Sequence, residues 1–145
     1  MDGEGSLQEL TKYNTSFTYG TLDNLTTLQA VDDAATAALG SGARMPTEEE
    51  WQELINNTTV EWTTLNGVNG RKFIAANGNT LFLPAAGFRS GSELGRAGSD
   101  GFYWSSSLVT LVPDYACYFY FSSGGRGMSY LNRYVGSSVR AVRQN

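Results

Sequence analysis

The side chains that could carry chemistry in this sequence are few. Glu48–Glu50 are consecutive, Asp32 and Asp33 are adjacent, Cys117 is the single cysteine, and the chain has no histidine. Without histidine the sequence cannot form a Ser-His-Asp triad or the usual zinc sites. Neighbouring aspartates on a helix point in different directions, and no phosphate-binding glycine loop with its lysine is present. We therefore predict no catalytic residues, no metal site and no cofactor.

The three consecutive glutamates have a structural explanation. Thr47 is followed three residues later by Glu50, which is the spacing of a capping box. Acids in the first turn of a helix are also stabilised by the helix dipole. The alternative is a cation site, but capping accounts for all three acids. Trp51, Leu54 and Ile55 then form the buried stripe of this helix.

The remaining patterns predict an α+β fold. Apolar residues recur at helical spacing over 28–39, ahead of the capped helix. Strands and turns follow, and the Asn-Gly pairs at 66–67, 69–70 and 77–78 favour tight hairpins. Residues 87–101 are expected to form a long glycine-rich loop. We predict an extended N-terminal segment over 1–25 and one domain over 26–145, in which two helices flank a mainly antiparallel, twisted sheet with long loops.

The stretch DYACYFYFSSGG (114–125) raises the question of what its second face does. Strand alternation places Phe119 and Phe121 on one side, with Cys117, and Tyr118 and Tyr120 on the other. We expect the phenylalanines and the thiol to be buried and the two tyrosines to be exposed. Six of the eight tyrosines follow residue 100, among serines and glycines. Antibody paratopes use the same residue types, because tyrosine offers a large contact area with few rotatable bonds.

A candidate ligand-binding surface follows from this pattern. The loop SLVTLVPD (107–114) is apolar although it connects two strands, so it is either tucked into the core or available to a partner. The tyrosines of the next hairpin are expected to cluster with Arg126, a residue type common in binding hot spots. The alternative is that these rings only cover the sheet. The candidate residues are Leu108, Thr110, Val112, Tyr118, Tyr120, Arg126, Met128 and Tyr130.

Charge is distributed unevenly along the chain. The net charge of −4 combines −9 over residues 1–65 with +5 over residues 66–145. An acidic chain is a poor general binder of nucleic acid, because phosphate contacts require a dense basic surface. Arg140 and Arg143 are expected to anchor the last strand against the acidic helices. No apolar run reaches the length of a membrane span, and no basic-then-apolar leader follows Met1. We therefore expect neither nucleic-acid binding nor membrane insertion.

Several landmarks occur in a recognisable order. These are DDAA, ARMPTEEEWQEL, LPAAGFR, GFYWSSS and the closing GSSVRAVR. Their order resembles the C-type-lectin-like domains of the Fibrobacter succinogenes major paralogous domain group, which is related to the formylglycine-generating-enzyme fold. It is also similar to the variable proteins of diversity-generating retroelements. The resemblance covers residues 25–143 and implies a C-type-lectin-like fold whose C-terminal stretch binds a partner, in a setting such as a bacterial surface or a phage tail.

The resemblance also limits the possible activities. The Glu-Pro-Asn and Trp-Asn-Asp signatures of calcium-dependent sugar binding are missing, and a lone Cys117 cannot supply the reactive cysteine pair of formylglycine-generating enzymes. The leading hypothesis is a non-enzymatic recognition domain, a diversified variable protein or adhesin, that binds a protein or other surface ligand. The alternatives are a structural domain that packs on a neighbouring domain or subunit, and a degenerate enzyme of the formylglycine-generating type. The sequence leaves the oligomeric state open.

Overall fold

A computed structural model describes residues 9–143 of the chain. In this part of the chain a short 3-10 helix (Phe17–Tyr19) precedes two α-helices and ten strands. The helices are α1 (Ala34–Leu39) and α2 (Glu48–Asn57). The strands are β1 (Ala43–Arg44), β2 (Thr58–Leu65), β3 (Val68–Ala75), β4 (Thr80–Pro84), β5 (Phe88–Ser90), β6 (Glu93–Gly95), β7 (Gly101–Leu108), β8 (Tyr115–Phe121), β9 (Arg126–Asn132) and β10 (Val142–Arg143).

The strands form two three-stranded antiparallel sheets, in the orders β2-β3-β4 and β7-β8-β9. Two smaller antiparallel pairs accompany them: the β5–β6 hairpin, and β1 with β10, which joins the start of the domain to its end. The predicted α+β class, with two helices and mainly antiparallel sheets, is therefore confirmed. No helix within residues 9–143 has the length and apolar character needed to cross a bilayer.

Two of the three Asn-Gly pairs form hairpin turns. Asn66 and Gly67 both have positive φ, 49° and 80°, between β2 and β3, as tight hairpin turns require. Gly78 (φ 86°) likewise lies in the turn between β3 and β4. The prediction for 69–70 is wrong, because Gly70 lies within β3. A Cβ there would lie 2.2 Å from the carbonyl oxygen of Leu83, so Gly70 permits close approach of β4.

The first helix is shorter than the predicted range 28–39. Asp33 is its N-cap, and its Oδ1 accepts hydrogen bonds from the amides of Ala35 (2.8 Å) and Thr36 (3.0 Å). Upstream, the amide of Leu28 donates to the carbonyl of Ser106 instead of a helical partner. The cap begins α1 at residue 34 because an N-cap residue itself has non-helical backbone angles.

The capping box predicted for the second helix is confirmed. Thr47 Oγ1 accepts a hydrogen bond from the amide of Glu50 (3.3 Å), and Glu50 Oε2 accepts one from the amide of Thr47 (2.9 Å). Arg44 also binds Glu50 through both guanidinium nitrogens, at 2.6 and 2.7 Å. These contacts account structurally for Glu50.

The main core lies between α2 and the two larger sheets. Trp51 stacks on Phe119 with ring centroids 5.0 Å apart, and Phe119 meets Phe73 edge to face at 5.9 Å. Phe119 and Phe121 are fully buried, as predicted. Of the three tryptophans predicted to be core, Trp51 is buried, while Trp62 and Trp104 are half-buried. The cluster consists of Trp51, Phe73, Leu83, Ala85, Tyr103, Phe119 and Phe121.

Two further expectations need correction. The glycine-rich stretch 87–101 is not one long loop, because β5 and β6 form a short hairpin within it. Arg140 and Arg143 are exposed, and within residues 9–143 neither pairs with a carboxylate. The last strand is instead held by its backbone pairing, with Arg143 opposite Ala43.

Candidate functional site

The second face of β8 is covered at Tyr118. This side chain retains 8% of its accessible surface, and its ring stacks on Phe102 with centroids 5.6 Å apart. The prediction that Tyr118 is exposed is therefore wrong. The alternation was assigned correctly, since the two phenylalanines face the main core, but the opposite face carries a second aromatic layer.

Tyr120 belongs to the same layer and is half-buried. Its ring meets Phe102 edge to face at 5.4 Å, and its hydroxyl donates to Oδ2 of Asp100 (3.1 Å). Asp100 is itself buried and forms an ion pair with Arg96 at 3.0 Å. Both the ring and the hydroxyl of Tyr120 therefore make contacts within the fold. The prediction that Tyr120 is exposed is wrong.

Distant parts of the chain cover this layer. Phe88 from β5 packs edge to face on Phe102, with centroids 5.1 Å apart. The C-terminal segment runs along β7, where Ser138 exchanges backbone hydrogen bonds with Phe102 and Trp104, and Val135 is buried nearby in sequence. The tyrosine row seen in the sequence is thus largely an internal contact surface.

The candidate residues on β9 lie on the opposite face from Tyr118 and Tyr120. In the β8–β9 ladder Arg126 is paired with Phe121, Met128 with Phe119 and Tyr130 with Cys117. Directly paired residues share a face of the sheet. The expected cluster of Arg126 and Tyr130 with Tyr118 and Tyr120 is therefore wrong. Met128 packs against the core, while Arg126 and Tyr130 remain exposed.

The loop between β8 and β9 is fixed by Arg71 of β3. This buried guanidinium donates to the carbonyl of Ser122 through Nε (3.0 Å) and Nη2 (2.7 Å), and to that of Ser123 at 3.3 Å. Burial and the nearby charge of Arg126 lower the pKa of Arg71. These contacts anchor the loop to β3 although it is rich in serine and glycine.

The other three candidate residues lie at the end of β7 and in the loop that follows it. Leu108 and Val112 are half-buried, and Thr110 is exposed. Pro113 is buried and anchors the end of the loop, whereas Leu111 retains 88% of its accessible surface. The apolar loop is therefore partly packed and partly open to solvent.

Arg133 connects this loop to the N-terminal segment. Its Nη1 donates to the carbonyls of Pro113 (3.0 Å) and Tyr13 (3.2 Å), and its Nη2 donates to that of Lys12 (3.3 Å). The guanidinium also lies over the ring of Tyr13, 6.0 Å from its centroid. A second link is the hydrogen bond from Thr15 Oγ1 to the carbonyl of Thr110, at 2.5 Å. Three segments of the chain thus meet around Arg133.

Each of these segments carries a large exposed side chain. Leu111 and Phe17 are the most exposed large hydrophobic residues of the described chain, at 88% and 84%, and Tyr134 is 66% exposed. We call these three residues the apex residues. Sequence reasoning missed Phe17 and Tyr134 because the hydrogen bonds that link their segments to the loop after β7 join residues far apart in the sequence. The apolar character of the loop was the only sequence feature that indicated this region.

Cys117 does not provide an active nucleophile. The thiol is 2% exposed, as expected for an inward-facing residue, and donates to Oε2 of Glu48 at 3.2 Å. Burial, followed by the hydrogen bond to Glu48, raises the pKa of Cys117 to about 12. The thiol is therefore protonated at neutral pH, and the reactive thiolate is not formed. No three acidic, cysteine or histidine side chains within residues 9–143 come close enough together to hold a metal ion.

A cavity of about 230 Å³ lies between the Tyr118 face of the β7–β8 pair and the N-terminal segment. Leu108, a predicted site residue, forms part of its wall. The other lining residues are side chains that sequence reasoning did not single out as binding residues. The apolar wall includes Leu28, Met45, Trp104, Leu108, Ala116 and Val139, and we call the polar lining residues Tyr13, Asp32 and Arg133 the rim.

Comparisons with known proteins add nothing to the assignment of this site. Searches of protein-family models, curated proteins and solved structures returned no significant match to the chain. The resemblance to C-type-lectin-like domains therefore rests on the order of the sequence landmarks.

Proposed function

We propose that this chain is a non-enzymatic recognition domain with a C-type-lectin-like fold, which binds a protein partner through the apex residues Phe17, Leu111 and Tyr134. The observation that carries the proposal is the combination of exposure and anchoring around Arg133. Large apolar side chains that remain in water on a well-anchored scaffold are typical of interaction sites. We further propose that the chain is a retroelement-diversified variable protein displayed on a bacterial surface or a phage tail.

The placement of the sequence landmarks supports the proposed fold. DDAA begins α1, PTEEEW begins α2, and GFYWSSS forms most of β7. The closing GSSVRAVR runs along β7 and ends in β10, which pairs with β1. Four of the five landmarks thus fall on the two helices, on β7 and on the β1–β10 pair.

The surroundings of the ionisable groups support a non-enzymatic role. Cys117 is buried and protonated, Glu48 accepts its hydrogen bond, and Glu50 is occupied by Arg44. Asp33 caps α1 and also accepts from the amide of Met45 (2.8 Å). Each of these four groups would have to leave a structural contact before it could act as a base or nucleophile.

Selection from a random-peptide library displayed on phage tests the proposal without a known partner. Peptides selected on the full chain should bind it and should lose about 30-fold or more in affinity on Leu111→Ser or Phe17→Ser, as expected for a central anchor worth about 2 kcal/mol. Leu65→Ser is the control, because Leu65 is another large apolar residue, 50% exposed, and it lies at the β2–β3 turn.

Two outcomes would overturn the proposal. Selected peptides that bind the two apex variants as well as the unchanged chain would place the recognition surface elsewhere. Sedimentation that shows a dimer dissociated by Leu111→Ser would favour the structural alternative, in which this region packs on another subunit. Unchanged melting temperatures of the variants ensure that lost binding does not reflect unfolding.

A further inference from the structure

The cavity beside the Tyr118 face has the size of a small-ligand site. Its volume of about 230 Å³ exceeds the roughly 150 Å³ of an engineered apolar cavity that binds benzene. Trp104 lies in its wall. The indole meets the ring of Tyr118 edge to face, with centroids 6.2 Å apart and planes at 80°, and this contact orients it. A preformed apolar wall with one large aromatic side chain suits a flat ring.

The charged groups at the rim are already paired. Asp32 accepts hydrogen bonds from the hydroxyl of Tyr13 (2.6 Å) and from Lys12 (2.9 Å). These contacts lower the pKa of Asp32. Arg133 is occupied by three backbone carbonyls. A charged ligand would have to break one of these contacts or lose its hydration without compensation.

The serine hydroxyls along the wall are also engaged within the fold. Ser105 Oγ donates to the carbonyl of Cys117 (2.9 Å), and Ser107 Oγ accepts from the amide of Glu48 (3.0 Å). Ser106 Oγ donates to the carbonyl of Pro46 at 3.4 Å. The hydroxyls of Ser105 and Ser106 thus donate within the fold, and the wall offers mainly apolar contact.

From its volume, its apolar wall and the charged rim groups that already have partners, we infer that this cavity is a binding site for one neutral aromatic ring. The chemistry is the same whether the ring belongs to a free small molecule or to a side chain of a bound protein. This site is separate from the apex residues in its contacts, although Arg133 borders both.

The methionine methyl groups report directly on the site. Met45 lines the cavity, whereas Met128 packs in the main core on the other side of the sheet. In the full chain with labelled methionine methyls, p-cresol should shift the Met45 signal saturably and leave Met128 unchanged. Benzoate and benzylamine, which carry a charge on the same ring size, should bind at least about tenfold more weakly, a difference of about 1.4 kcal/mol.

Two variants that fill the cavity test the location. Ala116→Leu adds volume from the sheet, and Val139→Phe adds it from the half-exposed C-terminal segment, so that one remains informative if the other does not fold. Each folded variant should lose the Met45 response to p-cresol. N-acetyl-tyrosinamide separates the two sources of the ring: a Met45 shift with it as well as with p-cresol supports a protein side chain, and a shift with p-cresol alone supports a free small molecule.

Three results would overturn the inference. These are the absence of a Met45 shift with either neutral ring, equal binding of the charged and neutral compounds, and unchanged p-cresol binding by a folded, cavity-filled variant. None of them depends on the peptide-binding experiment, so failure of this site and failure of the apex surface can be told apart.

Discussion

Tyr118 and Trp104 are directly paired across the β7–β8 ladder, and their rings meet edge to face with centroids 6.2 Å apart. Tyr118 also stacks on Phe102. One tyrosine ring therefore joins two strands and makes contact with both aromatic neighbours. Its position in the middle of the second aromatic layer gives it a structural role.

The first prediction concerns the stability contributed by Tyr118. Tyr118→Ala should reduce the free energy of unfolding by about 3–5 kcal/mol, because it removes a large buried ring and leaves a cavity. Tyr130→Ala should change it by no more than about 0.5 kcal/mol, since Tyr130 is 58% exposed. Chemical denaturation of both variants measures the difference. A Tyr118 variant as stable as the Tyr130 variant would show that the second layer does not support the fold.

Strand periodicity predicted which residues of β8 share a face, because side chains alternate strictly along a strand. It could not predict what covers the second face, since the cover includes Phe88, over 25 positions upstream, and the segment around Ser138. The face of Arg126 and Tyr130 depended on the pairing register with β8. A shift of one residue in register exchanges the two faces, and the sequence of the hairpin loop did not settle that register.

The local features of the helices were more predictable than the candidate site. The capping box of α2 depends on two residues only three positions apart, and it is present as predicted. The segments that carry the apex residues, by contrast, are linked by Arg133, whose guanidinium reaches the backbone of a residue 120 positions away. No local pattern marks an arginine as the donor to three distant carbonyls, so this part of the site could only be found in the structure.

The second prediction concerns the pH dependence associated with Cys117. Its pKa is raised from about 9 to about 12 in the folded protein, so the folded state favours the protonated thiol. The resulting stability is fully present below pH 9 and is lost as the pH rises from 9 towards 12. The stability advantage of the unchanged chain over Cys117→Ala should therefore shrink across this range, as measured by urea unfolding at several pH values.

Thiol labelling provides an independent measurement of the same site. A disulfide reagent at neutral pH should modify Cys117 far more slowly in the native protein than in urea, because the thiol is buried and protonated. Rapid labelling of the native protein would contradict the structural role of this cysteine and would favour the alternative of a degenerate enzyme.

The third prediction concerns acid pH and Glu50. The hydrogen bond from Arg44 is the main cause that lowers the pKa of Glu50, and the amide of Thr47 adds to it. A lowered carboxyl pKa stabilises the fold above the unfolded value, near 4.5, and this stability is lost as the pH falls through the folded value. Glu50→Gln keeps an oxygen that can accept from the amide of Thr47 but loses the ion pair with Arg44. It should therefore be less stable than the unchanged chain at pH 7, by up to about 1 kcal/mol, and this difference should shrink below pH 4.5.

Glu49→Gln is the matched control for this experiment. Glu49 lies in the same first turn but is exposed, and within residues 9–143 it forms no ion pair. Both variants lose one charge near the helix dipole, so a larger and pH-dependent effect of Glu50→Gln isolates the ion pair with Arg44. Equal effects of the two variants would show that only the dipole matters.

The last prediction concerns Arg133, which should act as the connector of the N-terminal segment and the loop after β7. Arg133→Met keeps much of the aliphatic stem but removes all donors to the carbonyls of Lys12, Tyr13 and Pro113. A carbonyl left without a donor in a partly buried place costs about 1–3 kcal/mol. Hydrogen exchange followed by mass spectrometry should show faster exchange over residues 12–25 and 109–115, while the β2–β3 hairpin retains its protection.

Arg140→Met, at an exposed arginine with no carboxylate partner in the described chain, should leave all three regions unchanged. Arg133→Lys should restore protection only in part, because one ammonium group cannot match the planar, multiple-donor geometry of the guanidinium. Uniform acceleration over the whole chain would mean that Arg133 contributes to global stability alone, and the anchoring of the apex residues would then need another explanation.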